Sequence, residues 1–184
     1  MAVDIRVTSE IILAKIILTE KYPNLAGSEQ SFKIIPMLPH REEMLEKANA
    51  ALIVNFHPSA HEAKEPFSLD LVEEWNDLTE LPYVHGFWVG NEGSTPEAMV
   101  EELIRCKGQG TSHLKAIASE ISKERSLSAS MCENYLRTFS YELQEKEQES
   151  LGEFMQFAYY YGILPDVPDL NFYDVASPPS PSSN

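Results

Sequence analysis

The chain has few of the features that nucleic-acid-binding or membrane-bound proteins need. Its 184 residues include 14 Lys and Arg against 29 Asp and Glu, which gives a net charge of -15. Binding to phosphate groups requires clustered cations, so we expect neither nucleic acid nor an anionic membrane surface as a partner. The longest apolar run, residues 11–18, contains Lys15 and is too short to span a bilayer.

Cysteine is also scarce, and no secretory leader is expected. The chain contains Cys106 and Cys132 alone, and its N-terminus lacks a basic segment followed by an apolar one. Two thiols in such a chain are typical of small buried side chains rather than of a disulfide. The sequence therefore predicts a cytoplasmic protein.

Common catalytic motifs are missing as well. There is no Gly-rich phosphate loop, no Ser-His-Asp order and no Cys-x-x-Cys pair. His57, His61 and Glu62 could supply ligands to a metal ion, with His85 nearby. Two histidines at this spacing can bind the same ion only if the segment is helical, and Pro58 disfavours a helix there. We predict solvated loop histidines, no tight metal site and no cofactor. The apolar surroundings of His85 are more typical of a core histidine than of a catalyst.

Alternating patterns in the first half predict an α/β sheet. Strands are predicted at residues 3–7, 31–35 and 50–55, with helices at 10–20 and 41–48 between them. The third strand is apolar throughout, which is typical of a sheet covered on both faces. This order of strands and helices indicates the α/β class.

The second half changes to segments with helical periodicity. A break is expected at Gly108–Gly110, and Gly162 is a predicted C-cap with Pro165 following. The chain from 165 to 184 is rich in Pro, Ser and Asp and is predicted to be a disordered tail. The four predicted helices cover residues 97–107, 111–124, 129–143 and 147–161.

Between the two halves lies an acidic stretch with a tryptophan, residues 70–90. It predicts a short helix that ends at Leu81-Pro82, because proline disfavours helix at the preceding residue, and then an aromatic strand at 83–89. This block resembles the menaquinone-biosynthesis family that includes chorismate dehydratase. There, an acidic Trp-containing helix leads through Thr-Gly-Leu-Pro into an aromatic strand that crosses between two lobes. The chain has Glu80 in place of that glycine, and His85-Gly86 where the family usually has Phe-Ala.

The resemblance implies a fold. Family members are similar to type 2 periplasmic binding proteins, which have two lobes. Residues 1–90 would then form the second lobe, with the return strand at 83–89, and residues 91–164 the helical segment that covers the first lobe. No counterpart of that first lobe is present, so a chain that carries it or a homodimer is an expected partner. Without that lobe, the aromatic side chains of the segment are expected to repack, to form a dimer interface or to stay partly exposed. They are Phe139, Tyr141, Phe154, Phe157 and residues 159–161.

A ligand site is expected where the first strand meets the first helix. Thr8 and Ser9 occupy this position, and helix N-terminal amides favour anions. The family has a Ser-Arg-Thr-Ser loop here, to which residues 7–10 correspond. Only the hydroxyl of Ser9 is kept in kind, and Arg6 lies one position away from the family's arginine. Glu10 would repel an anionic substrate. A plain N-cap with a favourable first-turn acid explains the same residues. Asn55 ends the third strand at the same edge, where it could bind a substrate hydroxyl or simply end the strand.

The resemblance implies a carbon–oxygen lyase. Such an enzyme would eliminate water from chorismate to give 3-enolpyruvylbenzoate for menaquinone, by the futalosine route and without a cofactor. Because the small anionic substrate is held between two lobes, a chain with one lobe is expected to be incomplete or inactive alone. The alternative is a non-catalytic module that binds a small anion or another protein and derives from the same fold.

Overall fold

The computed structural model describes residues 1–26, 33–54, 68–91, 93–125 and 127–173. The fold begins with a small parallel sheet of three strands, β1 (Ala2–Asp4), β2 (Ile35–Met37) and β3 (Ala51–Leu52), in the order β2-β1-β3. Because both pairs are parallel, the carboxyl ends of the strands meet at one edge of the sheet. The mixed α/β character predicted from the sequence is confirmed.

The strands are shorter than the sequence predicted. β2 begins at Ile35, where its predicted strand was to end, and the residue following β1 already belongs to a turn. The N–H of Ile5 donates to the carbonyl of Met37 at 3.0 Å, so the pairing ends just beyond Asp4. Apolarity therefore located the sheet correctly but not its limits, which depend on where neighbouring backbones separate.

Helices connect the strands: α1 (Ser9–Lys21), α2 (Pro23–Ala26) and α3 (Arg41–Lys47). α1 is apolar around most of its circumference and is correspondingly buried, as its sequence predicted. Its buried residues are Leu13, Ala14, Ile16 and Ile17.

The acidic helix with the tryptophan is α4 (Leu71–Thr79). Its N-cap is Asp70, whose Oδ1 accepts a hydrogen bond from the N–H of Val72 at 2.9 Å. At its other end Glu80 adopts a left-handed backbone with φ 59° and ψ 18°. Glycine tolerates this conformation best, which explains the glycine in the family block that this stretch resembles.

The strand predicted at 83–89 is wrong. The structure gives residues 82–91 neither helix nor strand. A strand exists only when a neighbouring backbone pairs with it, and the described sheet contains three strands, none of which pairs with this segment. The aromatic and β-branched composition fits a strand but cannot supply the partner.

Four further helices follow, as predicted: α5 (Glu97–Ser112), α6 (Leu114–Arg125), α7 (Ala129–Arg137) and α8 (Glu145–Tyr160). The break predicted at Gly108–Gly110 is wrong, because an interior glycine costs only about 1 kcal/mol relative to alanine and the helix continues through both. α7 is also shorter than predicted. The predicted C-cap is confirmed, since Gly162 has φ 67° and its N–H donates to the carbonyl of Tyr159 at 2.8 Å.

The described chain divides into two compact units. The first unit comprises Met1–His85 and Leu143–Pro168, and the second comprises Gly86–Glu142 and the chain from Asp169 to its described end. The domain division implied by the family, at residues 90 and 164, stays a prediction. None of the helices in the described ranges has the length and apolarity needed to cross a membrane.

The main core of the first unit lies between α1, α4 and α8. Trp75 is completely buried there, and its indole packs edge-on against Phe154 at 5.9 Å and Phe157 at 6.0 Å between ring centroids. These two phenylalanines therefore repack, which is one of the expected outcomes, because α8 packs against α1 and α4; both are partly buried. Tyr159 and Tyr160 do lie on the exposed side of α8.

Candidate functional site

The candidate site lies in the first unit, where β1 passes into α1. The chain turns tightly here: the N–H of Val7 donates to the carbonyl of Asp4 at 3.3 Å, and α1 begins at Ser9. The turn brings the first residues of α1 next to the carboxyl edge of the sheet. In open α/β sheets, ligands bind at this edge.

Thr8 and Ser9 begin the helix but do not cap it through their side chains. Thr8 occupies the N-cap position with φ -125° and ψ -48°, and its side chain makes no capping hydrogen bond. This ψ lies outside the extended region from which an N-cap side chain reaches the first-turn amides. Thr8 therefore occupies the N-cap position, with Glu10 as the first-turn acid, but its hydroxyl caps no amide. Ser9 Oγ instead donates to Glu10 Oε2 at 3.0 Å. Both Thr8 and Ser9 are exposed.

The first turn of α1 therefore has unused donors. The N–H groups of Ser9 and Glu10 donate to no other residue within the described part of the chain. Such amides carry the positive end of the helix dipole and can receive an anion. The structure places Thr8 and Ser9 where the sequence predicted a ligand, and their role in binding it stays a prediction.

An ion pair between a buried carboxylate and an exposed guanidinium lies at the end of β1. Asp4 is fully buried, and Arg6 donates to it from Nε to Oδ1 at 2.9 Å and from Nη2 to Oδ2 at 2.6 Å. These hydrogen bonds hold the pKa of the Asp4 carboxyl below its ordinary value despite burial. The pair thus fixes a guanidinium beside the start of α1.

Tyr83 and His85 complete the site from the segment after α4. Their rings meet edge-on with centroids 5.0 Å apart. Burial raises the pKa of the Tyr83 phenol to about 12, the Glu10 carboxylate acts in the same direction, and a hydrogen bond with the Ser9 hydroxyl opposes both. Burial lowers the pKa of the His85 imidazole, whereas the carboxylates of Glu10 and Asp70 oppose this. These interactions show that five residues lie close together, namely Ser9, Glu10, Asp70, Tyr83 and His85.

This arrangement combines three chemical abilities. The N–H groups at the start of α1 can hold an anion, and a neutral imidazole at His85 can accept a proton. The phenol of Tyr83 stays protonated at neutral pH and can donate one. An acid and a base side by side near an anion site are suited to transferring protons to and from a ligand that is held by its carboxylate.

Three of these residues were missed from the sequence. Arg6 was compared only with the family's arginine, from which it is displaced, although its spacing from Asp4 allows both side chains to lie on one side of the strand end. Tyr83 was counted as an apolar strand residue. His85 is not the core residue that the sequence predicted, since it is exposed to solvent and its ring is only partly covered, where it meets Tyr83. The alternation of Tyr83 and His85 was the available signal, because alternate residues of an unwound chain project to one side.

Several predicted residues lie outside the described residues: Asn55, His57, His61 and Glu62. Asn55 as a substrate contact and the histidines as solvated loop residues stay predictions. Within the described ranges, no three His, Cys, Asp or Glu side chains are grouped as ligands for a metal ion. The expected lack of a tight metal site also stays a prediction, because its candidate ligands fall in the part not described.

Comparison with known proteins relates this geometry to a family. A search of curated proteins finds no match. A family model described as menaquinone biosynthesis matches residues 1–160, which include the sheet, the candidate site and every helix through the last residue of α8. Since the match covers far more than half of the chain, this protein belongs to the menaquinone biosynthesis family.

Proposed function

We propose that the chain is a chorismate dehydratase-like lyase of menaquinone biosynthesis that binds chorismate at the carboxyl edge of the sheet. The observation that carries the proposal is the pairing of an open helix N-terminus with a neighbouring acid and base, Tyr83 and His85. Family membership supports it, because chorismate dehydratase belongs to the same family. The proposal includes the two-lobed fold and the cytoplasmic location predicted from the sequence.

The reaction needs one proton removed and one hydroxyl lost. Chorismate gives up a ring C–H proton and its ring hydroxyl, which leave together as water, and the ring becomes aromatic in 3-enolpyruvylbenzoate. His85 in its neutral form accepts the proton, and Tyr83 donates to the departing hydroxyl. Thr8, Ser9 and the first-turn amides hold a substrate carboxylate, and Asn55 contacts a hydroxyl. No cofactor enters this scheme.

The described site is open on one side. Thr8, Ser9 and His85 are all exposed, so bulk water reaches the place where the ring would bind. Elimination is faster when reacting groups are held in fixed orientation and water is excluded. We therefore propose that a partner covers the open side of the site, either a chain that supplies a first lobe or a second copy of this chain. The chain alone should then turn over chorismate slowly.

The test is to incubate the purified chain with chorismate and measure 3-enolpyruvylbenzoate by chromatography. One arm uses the chain alone, and a second adds a separately expressed first lobe from a family member. The His85→Gln variant runs in both arms, and the mass in solution is measured by light scattering. We expect turnover only in the second arm and its loss in H85Q. Turnover by a monomer would contradict the proposal that a partner must cover the open side of the site. Turnover in neither arm would contradict the assignment as a lyase.

A further inference from the structure

The pair formed by Asp4 and Arg6 is built more rigidly than a surface ion pair. Asp4 is fully buried and accepts three hydrogen bonds from Arg6, one of them from the backbone N–H to Oδ1 at 3.0 Å. A buried carboxylate is tolerated only when its charge and its lone pairs are satisfied. The guanidinium is therefore held in one orientation, and turning it away would leave the buried negative charge of Asp4 without its counter-charge.

Only part of the guanidinium is used in this pair. An arginine side chain has five N–H donors, and Asp4 accepts from Nε and from one hydrogen of Nη2. Three donors remain, and 60% of the Arg6 side chain is exposed. Among the described residues, the salt bridges of Arg6 involve Asp4 alone, and Glu10 is bonded instead to the hydroxyl of Ser9. A fixed, planar set of donors therefore faces solvent at the carboxyl edge of the sheet.

Fixed guanidinium groups are suited to carboxylates. Their planar donors match the two oxygens of a carboxylate, and an arginine that is already oriented loses little conformational entropy on binding. Two residues separate Arg6 from Ser9, so its donors lie within reach of a ligand held at the start of α1.

We propose that Arg6 binds a carboxylate group of the ligand and that the buried Asp4 is the positioning residue that orients it. This inference rests on the proposed function for the identity of the ligand, but the carboxylate class follows from the guanidinium itself. Thr8 and Ser9 then form only part of the anion site, and the fixed positive group of the site comes from the turn that follows β1.

The experiment uses isothermal titration calorimetry on the full chain with two probes, chorismate and benzoate. The variants are R6Q and the double variant D4N/R6Q, which replaces the ion pair with two neutral amides and leaves no buried charge unpaired. The control is R105Q. Arg105 is also exposed and also donates from Nε and Nη2 to one carboxylate, that of Glu102, but it lies on α5 in the second unit.

We expect affinity for both probes to fall about 10- to 100-fold in R6Q and in D4N/R6Q, with no change in R105Q, since hydrogen bonds to charged groups are worth this much. Unchanged affinity in the folded double variant would overturn the inference. If wild type binds benzoate but not chorismate, the proposed function fails while the assignment of Arg6 is still tested. Binding of neither probe overturns both.

A spectroscopic readout tests the positioning role of Asp4. In nitrogen-15 NMR spectra, the Arg6 Nε–H signal should be protected from solvent exchange in wild type and should shift on addition of benzoate. In D4N the protection should be lost and affinity should fall, even where thermal unfolding shows an intact fold. Loss of protection with undiminished affinity would overturn the positioning role.

Discussion

The indole N–H of Trp75 donates to the hydroxyl of Ser150 at 3.0 Å, and both side chains are buried. This hydrogen bond joins α4 to α8 in the centre of the first unit. Trp75 also packs edge-on against Tyr83 at 6.3 Å between ring centroids. The position of the proposed acid therefore depends on the same tryptophan that connects the terminal helix to the sheet-bearing part of the chain.

Replacing Ser150 with Ala should destabilise the fold by about 1–3 kcal/mol, because the buried indole N–H loses its acceptor. The free energy of unfolding would be measured by urea denaturation. Ser112→Ala is the matched control, since Ser112 is exposed and its hydroxyl donates to the carbonyl of Gln109 at the surface. The combined variant W75F/S150A should cost less than the sum of its two single changes. Strict additivity would contradict the coupling of these residues.

The sequence predicted the helices well because each carries its own signal. The periodicity of α8 and the glycine at its end are local, and both were identified correctly. The strand predicted at 83–89 failed because pairing requires a neighbour that no local pattern specifies. The packing of Phe154 and Phe157 on Trp75 could not be predicted for the same reason, since it depends on how the chain returns to α1.

Replacing Glu10 with Gln should increase the affinity for chorismate several-fold. Glu10 places a negative charge beside the open amides of α1, which opposes an anionic ligand. Calorimetric titration of the variant and of wild type would measure the change. Glu97→Gln is the control, because Glu97 is also an acid in the first turn of a helix but lies on α5. Weaker binding of chorismate by E10Q would mean that Glu10 assists the ligand rather than opposing it.

His85 should make stability depend on pH. Partial desolvation of its ring lowers its pKa from the ordinary value of 6.5. Between that value and the lower pKa of the folded state, only the unfolded chain takes up a proton. Stability should therefore fall as the pH drops below 6.5 and level off below the folded-state pKa. Urea denaturation from about pH 8 to about pH 5 should show a smaller fall in H85Q than in wild type. Equal pH profiles for H85Q and wild type would show that folding does not change the pKa of His85.

Two glycines, one inside α8 and one just beyond its end, should respond to alanine in opposite directions. Gly162 has φ 67°, so Gly162→Ala should destabilise by about 1 kcal/mol, although nothing lies within 4 Å of the added Cβ. Gly152 lies inside α8 with equal space, so Gly152→Ala should stabilise by about 0.5–1 kcal/mol. Thermal unfolding of both variants measures the difference. Changes of the same sign would contradict the left-handed end of α8.

Replacing Glu80 with glycine should increase the stability of the fold. The left-handed backbone at this residue costs a side chain about 1 kcal/mol, so Glu80→Gly should stabilise the chain by a similar amount. Glu73→Gly, within α4, is the control and should destabilise by about 1 kcal/mol. Both free energies of unfolding come from urea titrations. A destabilised E80G would show that the glutamate side chain has a role that offsets its strain.

The candidate site was only partly visible in the sequence. Thr8 and Ser9 were found because strand ends and helix starts are local features with known preferences. Arg6 was passed over because its importance comes from the burial of Asp4, which depends on the whole sheet. Tyr83 and His85 reach Ser9 and Glu10 across more than seventy residues of sequence, and no local spacing predicts that approach.

The return of α8 to α1 determines when the first unit can form during synthesis. The Tyr161 hydroxyl donates to Glu20, and Lys15 lies over the Tyr161 ring at 5.6 Å from its centroid. The ribosome makes α1 first and α8 only after residues 86–142 of the second unit, a delay on the order of 10 s at ordinary elongation rates. For that interval the apolar surface of α1 that faces α8 lacks its final cover, which makes the nascent chain a candidate for chaperone binding. A chain that stops before Glu145 should never acquire the native first unit.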